Sequence, residues 1–201
     1  MMSVRKGEVT STRMVEAMLE LIQTRGYAGT GINAVLERAS APKGSMYFHF
    51  PQGKEELGER AIALASDQFR NLIAETTSTE QSPGRVVARV LEVLAALLAD
   101  SDYELGCPVS VVTLEMGAHS ERLRAACVHA YDSWISPVAD YLAASGLDAD
   151  HARAVATTVV STVEGAMILS RAVKDTTAMQ GAARVLGELL DGMIGSKGAN
   201  A

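Results

Sequence analysis

The sequence predicts an all-α fold. Of the 201 residues 48% are apolar but only 4% are aromatic, and Ala, Leu, Val and Met supply most of the apolar positions, a mixture that favours helices over strands. Apolar side chains also recur at three- and four-residue spacing between residues that commonly begin or end helices. We therefore expect helices joined by short polar turns.

Two amphipathic helices are predicted before the turn at Ser40. The first follows the cap candidates Ser11 and Thr12 and ends at Arg25-Gly26, a basic last turn followed by a glycine that suits a helix C-terminus. Its apolar stripe consists of Val15, Met18, Leu19 and Ile22. The second helix is shorter and begins behind the N-cap candidate Thr30.

The third and fourth predicted helices surround a turn. Pro42 fits the first position of a helix, because its missing N–H costs nothing there and its φ is already helical. This third helix is expected to end near His49. A fourth helix begins at Lys54, after the turn Phe50-Pro51-Gln52-Gly53, and runs to Ile73 as a connector.

The remainder of the chain is predicted to be helical, after a polar loop over residues 76–82. The expected helices are Val86–Ala99, Pro108–Met116, Glu121–Ala144, Asp150–Lys174 and Thr177–Ile194. Residues 1–11 are polar and do not resemble an apolar leader. No segment offers about 20 uninterrupted apolar residues, so we expect a cytoplasmic protein that does not span a membrane.

The charge is unevenly distributed along the chain. The net charge is −6, but residues 1–50 hold six Lys and Arg against four Asp and Glu and so carry +2, which leaves −8 for the rest. This asymmetry favours an N-terminal contact with nucleic acid on an acidic body.

Three short N-terminal helices are compatible with a small bundle that has no DNA role, but particular residues favour DNA binding. The strings Lys43-Gly44-Ser45-Met46-Tyr47-Phe48-His49-Phe50 and Lys54-Glu55-Glu56-Leu57 resemble the recognition-helix signature of the TetR family of transcription factors. Arg25-Gly26-Tyr27-Ala28-Gly29-Thr30 resembles that family's connection between its first two helices. A helix-turn-helix places its second helix in the DNA major groove.

The resemblance implies two domains. Residues 1–53 would form a three-helix helix-turn-helix DNA-binding domain, and residues 54–201 a helical domain for ligand binding and dimerisation, with residues 54–75 as the connecting helix. The partner would be double-stranded DNA with a palindromic operator. The protein would be a transcriptional regulator rather than an enzyme.

Each predicted DNA contact has a chemical reason. Lys43 can reach a phosphate or a guanine edge, Gly44 lets the backbone approach the duplex, and Ser45 can donate to either acceptor. The resemblance assigns Tyr47 and His49 to phosphate oxygens. Lys54 lies at a helix start, where free N–H groups also favour anions. The predicted contacts are Thr30, Lys43, Gly44, Ser45, Tyr47, His49 and Lys54, whereas Phe50 is expected in the core.

Three positions depart from the commonest pattern of the family. Ser40 replaces the glycine usual in the turn, and Pro42 stands where a Ser or Thr cap is frequent, which predicts a stiffer turn with Ser40 as an alternative cap. Asn33 occupies a place in helix two that Arg often fills. We therefore expect modest non-specific affinity for DNA.

The extra residue in Phe50-Pro51-Gln52-Gly53-Lys54 and the string Gly106-Cys107-Pro108-Val109 resemble the LmrA/YxaF-like branch of the family. This resemblance implies a repressor that a small hydrophobic or aromatic molecule releases from DNA. The candidate ligand-binding residues are Tyr103, Met116, Tyr131, Trp134, Glu164 and Met167. Aromatic rings can stack on a flat ligand, but core packing is the alternative for this set.

The last two helices are predicted to pair with those of a second subunit. Their apolar positions are Val155, Val159, Val163, Ala166, Met179, Ala182, Leu186, Leu189 and Met193. Two such helices per subunit resemble the family's four-helix dimer interface, and an intramolecular bundle is the alternative. A homodimer is favoured because two recognition helices span half-sites about 34 to 36 Å apart.

Two other functions stay open at this point. An enzyme would need a catalytic motif, but GxSxG, P-loop, HExxH and dinucleotide signatures are absent from the sequence. Folding could gather His119, His129 and Asp132 with Cys107 or Cys127 into a metal site, but we predict no metal, no cofactor and two buried thiols. The second alternative is a DNA-binding dimer without an effector.

Overall fold

The computed structural model describes residues 6–80 and 82–198, and within these ranges all regular secondary structure is α-helical. The predicted all-α fold is confirmed. The helices are α1 (Lys6–Arg25), α2 (Ile32–Arg38), α3 (Ser45–His49), α4 (Lys54–Thr79), α5 (Pro83–Asp100), α6 (Pro108–Met116), α7 (Glu121–Ala144), α8 (Ala149–Val173) and α9 (Thr177–Gly198).

The starts of the first three helices differ from the prediction. Helix α1 begins before Ser11 and Thr12, because the Thr12 hydroxyl donates to the Glu8 carbonyl instead of capping. The N-cap of α2 is Gly31, not Thr30. Helix α3 begins at Ser45 rather than Pro42, because the Ser45 N–H donates to the Pro42 carbonyl and closes a turn ahead of the helix.

Helix α4 extends through most of the segment expected to be a loop. The hydroxyls of Thr76, Thr77 and Thr79 donate to carbonyl groups four residues earlier, so these polar residues are accommodated within the helix. Helix α5 then begins at Pro83, three residues before the predicted start, and the Ser82 hydroxyl oxygen accepts the Arg85 N–H as its N-cap.

The chain forms two compact units. The first comprises residues 1–67 and 107–130, and the second comprises residues 68–106 and 131–201. Helix α6 thus packs with the N-terminal helices, although it follows α5 in the chain. The predicted boundary between residues 53 and 54 separates the chain by the site each part carries, whereas these units group residues by packing, so that boundary stays a prediction.

Each unit has its own buried core. In the first unit the fully buried side chains include Met14, Met18, Phe50 and Leu57, which confirms Phe50 as a core residue. The Cys127 thiol is buried, with Sγ 3.7 Å from the Val109 carbonyl oxygen. Cys107 is only half-buried, so the expectation of two buried thiols holds for Cys127 alone.

Helix α8 supplies much of the second core. Its residues Ala152, Ala156 and Val163 are buried in a cluster with Leu91 of α5 and Met179 of α9. By length and composition alone α8 is long and apolar enough to cross a membrane, although core helices of soluble proteins meet the same criterion. Asp150, Arg153 and other charges interrupt its apolar residues.

Candidate DNA interface and ligand cavity

Helix α3 exposes two consecutive aromatic side chains. Tyr47 is 71% exposed and Phe48 is 79% exposed, whereas Met46 and Phe50, four residues apart, are buried in the first unit. Large aromatic residues at this level of exposure are unusual on a protein surface unless the surface binds another molecule. The buried pair fixes the helix on its domain and leaves Tyr47 and Phe48 available for a ligand or macromolecule.

The turn before α3 presents polar groups beside these rings. Lys43 and Gly44 are exposed, and no atom lies within 4 Å of where a Gly44 Cβ would be. The Ser45 hydroxyl donates to the Pro42 carbonyl at 2.6 Å, which leaves its oxygen able to accept a hydrogen bond. The turn and α3 thus bring together five of the predicted contacts: Lys43, Gly44, Ser45, Tyr47 and His49.

His49 lies at the edge of this surface. Its side chain is half-buried, and its ring meets the Phe48 ring edge-on, with centroids 4.8 Å apart. The Phe50 ring lies on its other side at 6.4 Å. Neighbouring aromatic rings therefore restrict the orientation of the imidazole.

Thr30 and Lys54 lie apart from that exposed surface. Thr30 is 1% exposed, and its hydroxyl donates to the Gly26 carbonyl at 2.6 Å. The Lys54 ammonium donates to the Tyr27 carbonyl at 2.6 Å, and burial lowers the pKa of Lys54. In this structure both side chains stabilise the connection between α1 and α2, and their contacts with DNA stay predictions.

Phe48 is the surface residue that sequence reasoning missed, because an aromatic side chain in a short helix was equally compatible with core packing. Helical spacing carries the missing signal: Met46 and Phe50 share one face, and Phe48 falls two residues from each. The exposed face of α3 is accordingly more apolar than the predicted set of contacts.

The second unit contains a small apolar cavity of about 50 Å³. Residues of α4, α5, α7, α8 and α9 line it, together with the start of α5, and most are Val, Ile, Leu or Phe. Tyr141 of α7 and Glu164 of α8 are the polar side chains among the lining residues that the structure describes. Burial raises the pKa of the Tyr141 phenol, and the negative charges of Asp191 and Glu80 raise it further.

The predicted ligand-binding residues lie in different places. Glu164 lines the cavity. Trp134 is buried and meets the rings of Phe69 and Tyr131 edge-on, with centroids 4.8 Å and 5.4 Å away. Tyr103 and Met167 pack against the core of the second unit. Met116 ends α6 in the first unit.

Tyr141 was missed by the sequence reasoning, although its position carried a signal. It lies seven residues after Trp134 and three after Val138, on the same face of α7. Extending the predicted aromatic stripe by one turn therefore leads to the cavity.

The apolar residues of α8 and α9 divide between core and surface. Of the positions predicted to form a dimer interface, Val159, Val163, Ala166, Met179 and Leu186 are buried within their own unit. A different set is exposed: Ile168, Leu169, Val173, Val185 and Leu189. The buried set follows the intramolecular alternative, and the exposed set leaves apolar surface on both helices.

No group of three or more His, Cys, Asp and Glu side chains that could hold a metal ion occurs among the residues that the structure describes.

Comparison with known proteins identifies the family of both parts of the chain. Residues 15–61 match the profile of bacterial regulatory proteins of the tetR family, and residues 83–185 match that of the transcriptional regulator LmrA/YxaF-like C-terminal domain.

Two relatives from Bacillus subtilis (strain 168) match across most of the chain. The HTH-type transcriptional regulator LmrA is 32% identical over 167 residues, which are 83% of this chain and 89% of LmrA. The HTH-type transcriptional regulator YxaF is 29% identical over 167 residues, 83% of this chain and 87% of YxaF.

A solved structure supports the fold. The regulatory protein TetR from Rhodobacter sphaeroides superposes with a TM-score of 0.79 at 24% identity, covering 90% of this chain and 98% of that one. The family matches and the curated relatives agree with this fold. The chain belongs to the TetR family of bacterial transcriptional regulators, with a C-terminal domain of the LmrA/YxaF-like type.

Proposed function

We propose that this regulator is a cytoplasmic homodimer that represses transcription from a palindromic operator, and that a small apolar or aromatic molecule releases it from DNA. The observation that carries the proposal is the exposed face of α3, where Tyr47 and Phe48 project beside Lys43. Repression and ligand release follow the resemblance to the LmrA/YxaF-like branch.

The chemistry of this face suits the major groove. Lys43 supplies a cation for a phosphate or a guanine edge, and Tyr47 supplies a phenol that can bond a phosphate oxygen. Phe48 can make apolar contact with a thymine methyl group. The proposed contacts therefore combine backbone positioning with one apolar reading of base identity.

Dimerisation explains the exposed apolar residues of α8 and α9. Ile168, Leu169 and Val173 lie near the end of α8, and Val185 and Leu189 lie on α9. Pairing these helices around a two-fold axis would remove the exposed residues from water. It would also supply the second recognition helix that a palindromic operator requires.

The cavity of the second unit is the proposed effector site. Its volume of about 50 Å³ is well below the roughly 150 Å³ of a cavity that holds benzene, so an effector must widen it. Helix α4 begins with Lys54 in the first unit and contributes Phe69 and Ile73 to the cavity. Widening that displaced α4 would favour a different conformation of the DNA-binding part.

The small cavity also favours a second candidate function, a DNA-binding dimer without an effector. Such a protein would keep a filled C-terminal core that serves only for dimerisation. The two functions differ in one measurable property, the response of bound DNA to apolar compounds.

Genomic fragment selection followed by a release screen tests the proposal. Purified protein is expected to retain a small set of fragments with palindromic sequences, and an apolar compound is expected to release them. Enrichment of no fragment would contradict DNA regulation. Retention of the fragments with every compound, including those that bind the protein, would favour the effector-free function.

A further inference from the structure

The connection between α1 and α2, residues 26–31, is held by a carboxylate from α6. Glu115 Oε2 accepts the Ala28 N–H at 2.9 Å. The same carboxylate lies against Gly26, where an added Cβ would overlap Glu115 Oε1. Gly26 also has φ +78, so both its backbone conformation and the contact with Glu115 favour glycine.

A cation from α4 holds the same connection. Lys54 Nζ donates to the Tyr27 carbonyl at 2.6 Å and lies 4.1 Å from the centroid of the Tyr27 ring. Burial lowers the pKa of Lys54, and the negative charge of Glu115 acts in the opposite direction. The two side chains therefore bond successive peptide groups of the connection and attract each other electrostatically.

Packing around Tyr27 leaves the connection little freedom. Tyr27 is buried, and a Cβ added at Gly58 of α4 would lie 2.7 Å from its Cε2 atom. The Thr30 hydroxyl donates back to the Gly26 carbonyl. Helix α2 follows directly, and its N-cap residue Gly31 offers no side-chain hydrogen bond. The start of α2 thus depends on neighbouring side chains rather than on a cap of its own.

We infer that Glu115 is a positioning residue for DNA binding: by bonding Ala28 it fixes the connection between α1 and α2 and thereby the helix-turn-helix that follows. Glu115 lies in the segment 83–185 that matches the C-terminal domain, yet it contacts the N-terminal domain. This inference rests on the proposed function of α3 in binding DNA.

The sign of the expected effect separates positioning from simple electrostatics. Removing a carboxylate near the DNA-binding surface reduces its repulsion of phosphates and should by itself strengthen DNA binding. Loss of the bond to Ala28 should weaken binding. Glu121, an exposed carboxylate paired with Arg124 in the same unit, is the matched control because it makes no printed contact with the connection.

The test compares Glu115→Ala, Glu115→Gln and Glu121→Ala as full-length proteins. Operator affinity is measured on a fragment selected with the wild-type protein, and hydrogen exchange of the Ala28 amide is measured without DNA. Glu115→Ala is expected to bind about tenfold more weakly and to lose protection of the Ala28 amide. Glu115→Gln keeps an acceptor oxygen and should recover most of both, and Glu121→Ala should bind no more weakly than wild type.

Wild-type affinity in Glu115→Ala, despite lost protection at Ala28, would overturn the inference. Equal losses in Glu115→Ala and Glu121→Ala would overturn it as well. If Glu115→Ala does not fold, Glu115→Asp carries the same expectation at about threefold, because the shorter side chain keeps the charge but withdraws from Ala28. Failure of the wild-type protein to select any DNA would instead refute the proposed function, and the exchange measurement would still test the contact.

Discussion

The rings of Phe69 and Trp134 meet edge-on, with centroids 4.8 Å apart. Phe69 lines the cavity of the second unit, and Trp134 is buried behind it. Since Trp134 is the single tryptophan of the chain, its fluorescence reports the state of this wall. The proposed effector site therefore carries its own optical probe.

We expect the cavity to discriminate ligands by charge. Glu164 and Tyr141 are its polar lining groups, and the carboxylates of Asp191 and Glu80 act on the Tyr141 phenol. An apolar ligand with a hydrogen-bond donor or a positive charge should therefore bind at least about tenfold more tightly than its carboxylate analogue. Titration of Trp134 fluorescence with such matched pairs measures the difference. Equal affinity for both members would contradict this account of the cavity.

Phe48 and Phe50 should respond in opposite ways to alanine substitution. Phe48→Ala removes an exposed ring, so the free energy of unfolding should change by less than about 0.5 kcal/mol, while operator binding should weaken by about 1 kcal/mol through the lost apolar contact. Phe50→Ala, its control, removes a fully buried ring and should cost about 3–5 kcal/mol of stability. Denaturant unfolding and DNA titration give both quantities. Unchanged operator affinity in Phe48→Ala would remove Phe48 from the interface.

Ser40→Gly should stabilise the protein. Ser40 adopts φ 50, a left-handed conformation that a side chain disfavours, and its backbone N–H and carbonyl bonds to Glu37 and Arg13 survive the change. The gain should be about 0.5–1 kcal/mol, after the larger entropy of glycine in the unfolded chain offsets part of the relief. Ser78→Gly within α4, where φ is helical, should instead destabilise. Thermal unfolding of the two variants checks the contrast, and a loss of stability in Ser40→Gly would refute strain at this turn.

Tyr27 predicts a loss of stability at alkaline pH. Burial, followed by the charge of Glu55, raises its pKa to about 12, above the value near 10 expected in the unfolded chain. The native state therefore keeps the phenol proton longer, so this contribution is complete below about pH 10 and is lost as the pH rises toward 12. In Tyr27→Phe the decline between these values should be shallower than in wild type. Denaturant unfolding at a series of pH values measures it, and identical slopes would show that Tyr27 does not cause the decline.

Local patterns were sufficient for much of the fold. Pro108 and Glu121 begin α6 and α7 as predicted, because a proline or an acidic residue at the start of an apolar-periodic run marks a helix N-terminus. Helix α4 exceeded its prediction because threonines that favour loops on average can bond helical carbonyls. Pro42 misled because proline also suits the turn that precedes a helix.

The site was less accessible to sequence reasoning because its contacts join distant segments. Glu115 and Ala28 are 87 positions apart, and neither residue belongs to a pattern that anticipates their bond. Lys54 was predicted from its place at a helix start, whereas its ammonium bonds Tyr27 in the folded protein. Tertiary packing therefore decides which cations near the turn remain available.

The dependence of operator affinity on salt concentration tests the central claim, that the turn and exposed face of α3 bind DNA, most directly. We predict a steep linear fall of log affinity with log salt in the wild type, because several phosphates are neutralised. Lys43→Ala should fold normally, bind more weakly and show a slope smaller by about one for each site contacted, while Lys174→Ala, which removes an exposed cation of the second unit, should match the wild type. A flat wild-type slope, or a Lys43→Ala slope equal to that of wild type at unchanged affinity, would contradict the account.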